Sequence, residues 1–123
     1  MLFKRRGRHA DFCILRVSPE VLELPRVVVT DANASSPYVR FAAAPEGLAI
    51  VNRELTFAEY WTDSDPIAYY RRKSAKCAEV LVPDVVASRF LMGAYVSWDD
   101  SLARWSEMGI GIPASVNRDL FFL

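Results

Sequence analysis

Apolar positions in this chain come in short runs, and their spacing switches between the two-residue period of a strand and the longer period of a helix. Residues 11–17 (DFCILRV) are rich in β-formers and closed by Ser18-Pro19, which predicts a strand. Residues 26–30 (RVVVT) predict a second strand, more strongly β-branched. Residues 31–45 are rich in Ala, Ser and Asn, and Pro37 forbids a long regular helix among them. Residues 48–52 and 55–61 are short apolar pieces that predict helical turns. The TDSDP stretch at residues 62–66 predicts a helix start, with Ser64 or Asp65 as cap and Pro66 in the first turn. That helix runs through Ile67, Tyr70 and Ser74 and ends near Lys76.

Directly after it, residues 78–82 (AEVLV) predict a strand stopped by Pro83. Alternation puts Ala78, Val80 and Val82 on one face, and Glu79 and Leu81 on the other. Residues 90–98 (FLMGAYVSW) predict a further strand with Gly93 at a bulge. Asp99 or Asp100 then caps an amphipathic helix with Leu102, Trp105 and Met108 on one side, ended by Gly109. Residues 112–123 are apolar to the last position and predict a docked edge strand. Short strands and helices in this mixed order give an α+β fold.

Composition narrows the picture. At 123 residues and 52% hydrophobic, the chain suits one domain, residues 1–123, and is too apolar for intrinsic disorder. No stretch approaches about 20 uninterrupted apolar residues, so no membrane span is expected. Fifteen basic against fifteen acidic residues exclude a uniformly basic nucleic-acid clamp. The balance is uneven along the chain: residues 1–76 carry a surplus of three positive charges, and residues 77–123 the matching negative surplus. Lys4, Arg5, Arg6 and Arg8 form one basic cluster, and Arg71, Arg72, Lys73 and Lys76 another. Such clusters are either solvated surface or phosphate contacts. Cys13 and Cys77 each stand alone, as buried free thiols do in a reducing compartment. The basic N-terminus lacks the apolar run of a signal peptide, so a cytoplasmic location is expected.

Metal chemistry has little to build on, because His9 is the lone histidine and no zinc-ligand spacing occurs. No phosphate-binding glycine motif occurs either. Glu79 stands out as a carboxylate within an apolar strand, just past the basic helix end. It is either an edge-strand glutamate facing water or an acid held on a rigid element with cations nearby. The second arrangement suits stabilisation of a cationic sugar and removal of a weakly acidic proton.

Three segments carry a resemblance. VVVTDANASSPYVRF (27–41), Tyr60-Trp61 and RRKSAKCAEVLVP (71–83) resemble the DarT family, DNA ADP-ribosyltransferase toxins of bacterial toxin–antitoxin systems. The T-D-x-N-A motif falls on Thr30, Asp31, Ala32, Asn33 and Ala34, and A-E-x-L-V on residues 78–82. Met1-Leu2-Phe3 resembles an internal P-M-L-[YF] of the family, and Leu120-Phe121-Phe122 its usual ending.

The resemblance implies an ADP-ribosyltransferase-like α+β fold with mixed sheets and short helices, incomplete at the N-terminus. It implies NAD as co-substrate, no metal, single-stranded DNA as partner with a base, typically thymidine, as acceptor, and an antitoxin macrodomain protein as a second partner. Glu79 takes the catalytic position: it would hold a ribose hydroxyl, favour oxocarbenium formation and assist loss of the base proton. Residues 31–76 correspond to the family's substrate-recognition loop. Thr30, Asp31 and Asn33 would belong to the DNA-binding surface, with Asn33 reading a base edge by its amide. Tyr60, Trp61, Tyr69 and Tyr70 would stack on unpaired bases, and Arg71, Arg72, Lys73 and Lys76 would contact phosphates. Core packing is the competing role for Trp61, and more so for Trp98 and Trp105. The family's NAD-gripping histidine motif and an arginine with a catalytic role have no counterpart here, since His9 lies downstream of the aligned Met-Leu-Phe. These residues alone are therefore expected to lack half the NAD pocket, to be inactive and to expose apolar surface. A non-catalytic remnant that binds single-stranded DNA or a protein is the second reading. An unrelated α+β scaffold is the third, favoured if Glu79 faces solvent far from Asn33.

Overall fold

The computed structural model describes residues 2–60 and 62–121, with side chains from residue 7 onward. The aromatic at Trp61 and the last two residues of the apolar ending lie outside the described residues, as do the side chains of Lys4, Arg5 and Arg6. Length leads to the expectation of one domain; the chain divides into two compact units, one of residues 20–86 and the other of the described residues up to Pro19 and from Ala87 onward.

The unit of residues 20–86 is built on a three-stranded antiparallel sheet of β2 (Val28–Thr30), β3 (Phe41–Ala43) and β4 (Glu79–Leu81), with β2 in the centre. Val28 pairs with Ala43 on one side and Leu81 on the other, while Thr30 pairs with Phe41 and Glu79. A β-branched central strand buries well, and Val27, Val29 and Thr30 are almost wholly inaccessible. The β3 strand lies inside the stretch that Ala, Ser and Asn mark as irregular. Its partner β2 supplies the pairing that its own sequence does not advertise. A 3-10 helix at Glu46–Ile50 follows, then the single-turn α1 (Arg53–Thr56), whose first turn is capped by Asn52. The next helix, α2 (Pro66–Ala75), starts where the TDSDP stretch predicts. Of the two candidate caps it is Asp65 that serves, its carboxylate accepting from Ile67 N and Ala68 N.

In the other unit, β1 (Ile14–Val17), β5 (Leu91–Val96) and β6 (Ala114–Val116) form a sheet with β5 central, antiparallel to β1 and parallel to β6. Residues 2–11 form 3-10 turns kinked at Arg8, so the first strand starts later than its apolar run does. Arg16 pairs with Gly93 but Val17 with Leu91, so the bulge falls on Met92, next to the glycine. Helix α3 (Asp99–Glu107) is not capped by either aspartate. Trp98 occupies the cap position without a side-chain bond, and Asp99 and Asp100 lie in the first turn, where negative charge complements the helix dipole. Gly109 ends the helix in the left-handed conformation, φ +63°. Met108, placed with Leu102 and Trp105 by spacing, is exposed instead. The expected edge strand is β6, and it stops at Val116; Asp119–Phe121 turns into a 3-10 helix that buries Phe121.

The charge division along the sequence does not survive folding. Residues 20–86 hold seven basic and ten acidic side chains, so the unit that carries the second basic cluster is acidic as a whole. That basic cluster is therefore a local strip.

Gly47 sits where the 3-10 helix crosses β3. A Cβ there would lie 2.7 Å from the Ala42 carbonyl oxygen, which a backbone cannot yield cheaply. Gly47→Ala is expected to lower unfolding stability by about 1–3 kcal/mol, read from the urea midpoint. A loss within about 0.5 kcal/mol would show that the crossing gives way freely.

Candidate functional site

The site is built on the β2–β4 pairing. Thr30 is fully buried, and its hydroxyl donates to Ala32 O at 2.7 Å while accepting the Glu79 N–H at 3.0 Å. One side chain thus ties the start of the following loop to the backbone of Glu79. Residues 31–40 form that loop, joining β2 to β3. Its base is closed twice: Arg40 N–H donates to Asp31 Oδ1 at 2.9 Å, and the Arg40 guanidinium Nε–H to Oδ2 at 2.6 Å. Burial pushes the Asp31 carboxyl up, but the Arg40 backbone bond, guanidinium bond and charge outweigh it and hold Asp31 below its ordinary value.

Within the loop, Asn33 Oδ1 accepts the Ser35 N–H at 2.9 Å and also the Ser35 hydroxyl, while Asn33 O accepts the Ser36 N–H at 2.9 Å. This is an Asx turn. It leaves the Ala34 N–H pointing out of the turn, and that N–H donates to Glu79 Oε2 at 2.7 Å. Glu79 is half-buried at the start of an edge strand, with Oε2 held and Oε1 without a hydrogen-bond partner among the described residues. It therefore sits against Asn33's own turn, which removes the ground for an unrelated scaffold.

The basic cluster divides into two pairs. Arg72 Nε lies 3.2 Å from Asp63 Oδ2, and Lys76 donates to the Ala58 carbonyl, so both are tied to the fold. Arg71 and Lys73 are exposed and make no ion pair among the described residues, although Lys73 lies over the Tyr69 ring at 5.5 Å. Tyr70 is exposed and meets Tyr69 edge-on. Ile67, Tyr70 and Arg71 share one face of α2 by their spacing, an aromatic and a cation open to solvent together. Tyr60, beside Glu59, is exposed as well.

Of the residues that the sequence singles out, Glu79, Asn33 and Thr30 are brought together, and Arg40 and the Ala34 amide join them without having been singled out. No local pattern marks Arg40, whose partner is nine residues away. The Asn-Ala-Ser order does carry an Asx-turn signal that could have pointed to Ala34. Among the described residues, no group of three or more His, Cys, Asp and Glu could hold a metal ion. No described helix is long and apolar enough to cross a membrane. Elsewhere, His9 accepts the Trp98 indole N–H at 2.8 Å and lies 2.9 Å from Ser97 Oγ, while Trp105 donates to Ile112 O, so both indoles are bonded within their unit.

Two small sheets, one antiparallel and one mixed, with short helices in this order along the chain, make an α+β fold of the ADP-ribosyltransferase kind. Residues 1–122 match the DarT family model, described as ssDNA thymidine ADP-ribosyltransferase, and the chain belongs to that family. No curated protein sequence matches it. Solved structures do. A Thermosipho africanus DarTG in complex with ADP-ribose superposes with a TM-score of 0.82 at 22% identity, over 100% of this chain and 33% of that one. A Thermus sp. 2.9 DarT in complex with NAD+ gives 0.73 at 21% identity, over 87% of this chain and 56% of that one. The same Thermus protein in complex with ADP-ribosylated ssDNA gives 0.73 at 21%, over 87% and 53%. At these identities the likeness establishes the fold, and the chain spans one-third to a little over half of the proteins it matches.

The Asp31–Arg40 closure has a pH signature. A carboxyl whose folded value is lowered adds stability that is present above its ordinary value of 3.8 and lost as pH falls through the folded value. The stability gap between the native chain and Asp31→Asn is expected to be full at about pH 6 and to shrink below 3.8. A gap unchanged by acid in urea unfolding would contradict it.

Proposed function

We propose that this chain carries the acceptor-facing part of an enzyme that transfers ADP-ribose from NAD to a thymidine base of single-stranded DNA, with Glu79 as its catalytic carboxylate. The observation that carries the reading is Glu79 itself: half-buried, pinned through Oε2 and open at Oε1. NAD, when bound, would supply the ADP-ribosyl group: the ribose–nicotinamide bond breaks, nicotinamide leaves with the bonding electron pair, and the ribose carbon bonds to the base atom that gives up a proton. Glu79 Oε1 accepts a hydrogen bond from a ribose hydroxyl, and its fixed negative charge stabilises positive charge developing on the sugar. The same carboxylate takes the proton that the acceptor base loses. Tyr70 stacks on an unpaired base, Arg71 and Lys73 meet phosphates, and the Asn33 NH2 group addresses a base edge. Thr30, Asp31, Arg72 and Lys76 serve this surface from behind, by holding loop and helix in place.

The NAD-gripping groups are not supplied by His9, whose ring is committed to Ser97 and Trp98. The enzyme acts as a toxin countered by a macrodomain antitoxin. A second reading, a non-catalytic binder of single-stranded DNA, draws on the exposed Tyr70 and Arg71 face alone.

The test incubates the chain, alone and extended by any sequence encoded in frame before Met1, with NAD and thymidine-containing single-stranded oligonucleotides. A mass gain of one ADP-ribose is expected for an active form, with Glu79→Gln slower by roughly 10²–10³-fold. No gain in either form, or a gain undiminished by Glu79→Gln, rejects the catalytic reading. Binding is read separately. Tyr70→Ala is expected to cost about 1–3 kcal/mol of oligonucleotide affinity. Joint replacement of Arg71 and Lys73 by Ala should flatten the slope of log K against log salt by roughly 1.4. Unchanged affinity and slope would remove α2 from the DNA surface.

A further inference from the structure

We infer that Asn33 is a positioning residue for Glu79, acting through its side-chain oxygen and the Ala34 amide; the inference rests on the catalytic reading of Glu79. A glutamate on an edge strand has three side-chain torsions to sample, and a carboxylate that must meet a ribose hydroxyl has to be restrained. Here the restraint is a single charge-assisted bond, from the Ala34 N–H to Oε2 at 2.7 Å, a type about twice as strong as a neutral one. Its direction depends on the peptide plane between Asn33 and Ala34. That plane is set from one side by Asn33, whose Oδ1 collects the Ser35 N–H and hydroxyl. It is steadied from the other by Thr30, whose hydroxyl bonds Ala32 O and the Glu79 N–H. Consecutive N–H groups thus diverge, Ser35 onto Asn33 and Ala34 onto Glu79.

The two ends of the Asn33 amide therefore have separate work. The oxygen is engaged in the turn, and the NH2 group is the end left to address an acceptor. Asn33→Asp keeps the oxygen and removes the NH2 group, whereas Asn33→Ala removes both. A residue that only reads a base would be lost equally in the two variants, and neither would alter Glu79 when DNA is absent.

The experiment needs neither NAD nor turnover. The Ala34 amide proton resonance is recorded in the 123-residue chain, and its displacement on Glu79→Gln measures the bond to the carboxylate. The displacement is then measured again in Asn33→Ala and Asn33→Asp backgrounds, so that direct neighbour effects cancel. In the Asn33→Ala background it is expected to fall to less than half the native displacement, and in Asn33→Asp to be retained. A displacement undiminished in Asn33→Ala, or lost equally in both, overturns the inference. Where Asn33→Ala does not fold, Asn33→Gly removes the same oxygen with a more permissive backbone and takes its place. Failure here leaves the outcome of the transfer assay for Glu79 untouched, and failure of that assay leaves this measurement interpretable.

Discussion

A buried threonine hydroxyl is the point on which the candidate site hangs. Thr30 Oγ1 sits between the backbone of Glu79 and that of Ala32, so it locks the β2–β4 register and the departure of the loop together. A one-residue slip in that register would turn Glu79 to the opposite face of the sheet. It would also carry it away from the Ala34 amide. The hydroxyl has no exposure to water, which makes its two bonds hard to replace and leaves an apolar substitute with two backbone groups unsatisfied.

From this pairing the loop of residues 31–40 inherits its usefulness. Ten residues of mostly small and polar side chains would ordinarily be mobile. Asp31 and Arg40 close its base, the Asx turn at Asn33 shapes its middle, and the Ala34–Glu79 bond anchors it to β4. The result is a loop organised by its own polar groups, with a carboxylate as one of its anchors. The proposed catalytic role asks for a carboxylate that is held still, and the geometry says how this flexible side chain is held.

Much of this was legible in the sequence, for identifiable reasons. Glu79 interrupts an apolar run, Asp65-Pro66 is a helix start by capping chemistry, and β2 announces itself by three consecutive valines. The T-D-x-N-A and A-E-x-L-V motifs, in the right order, were enough to point to the DarT family. What could not be read depends on contacts across the chain. The β3 strand exists because β2 pairs with it, and Trp98, not an aspartate, holds the cap position of α3. Charge was misleading in a similar way. Sequence position divides basic from acidic at residue 76, but the folded unit spans that divide and is acidic overall. Two of the four cations in the cluster turn inward to Asp63 and Ala58, leaving Arg71 and Lys73 facing solvent.

Glu79 and the Asn33 turn come together in the fold, and the proposed function has them and the exposed face of α2 all meet DNA. Its most direct test is a residue-by-residue amide titration of the chain with a thymidine-containing single-stranded oligonucleotide. Shift changes concentrated at Asn33, Ala34, Tyr70, Arg71, Lys73 and Glu79 are the predicted result. Changes confined to β1, β5 and β6, or none at saturating oligonucleotide, would contradict it.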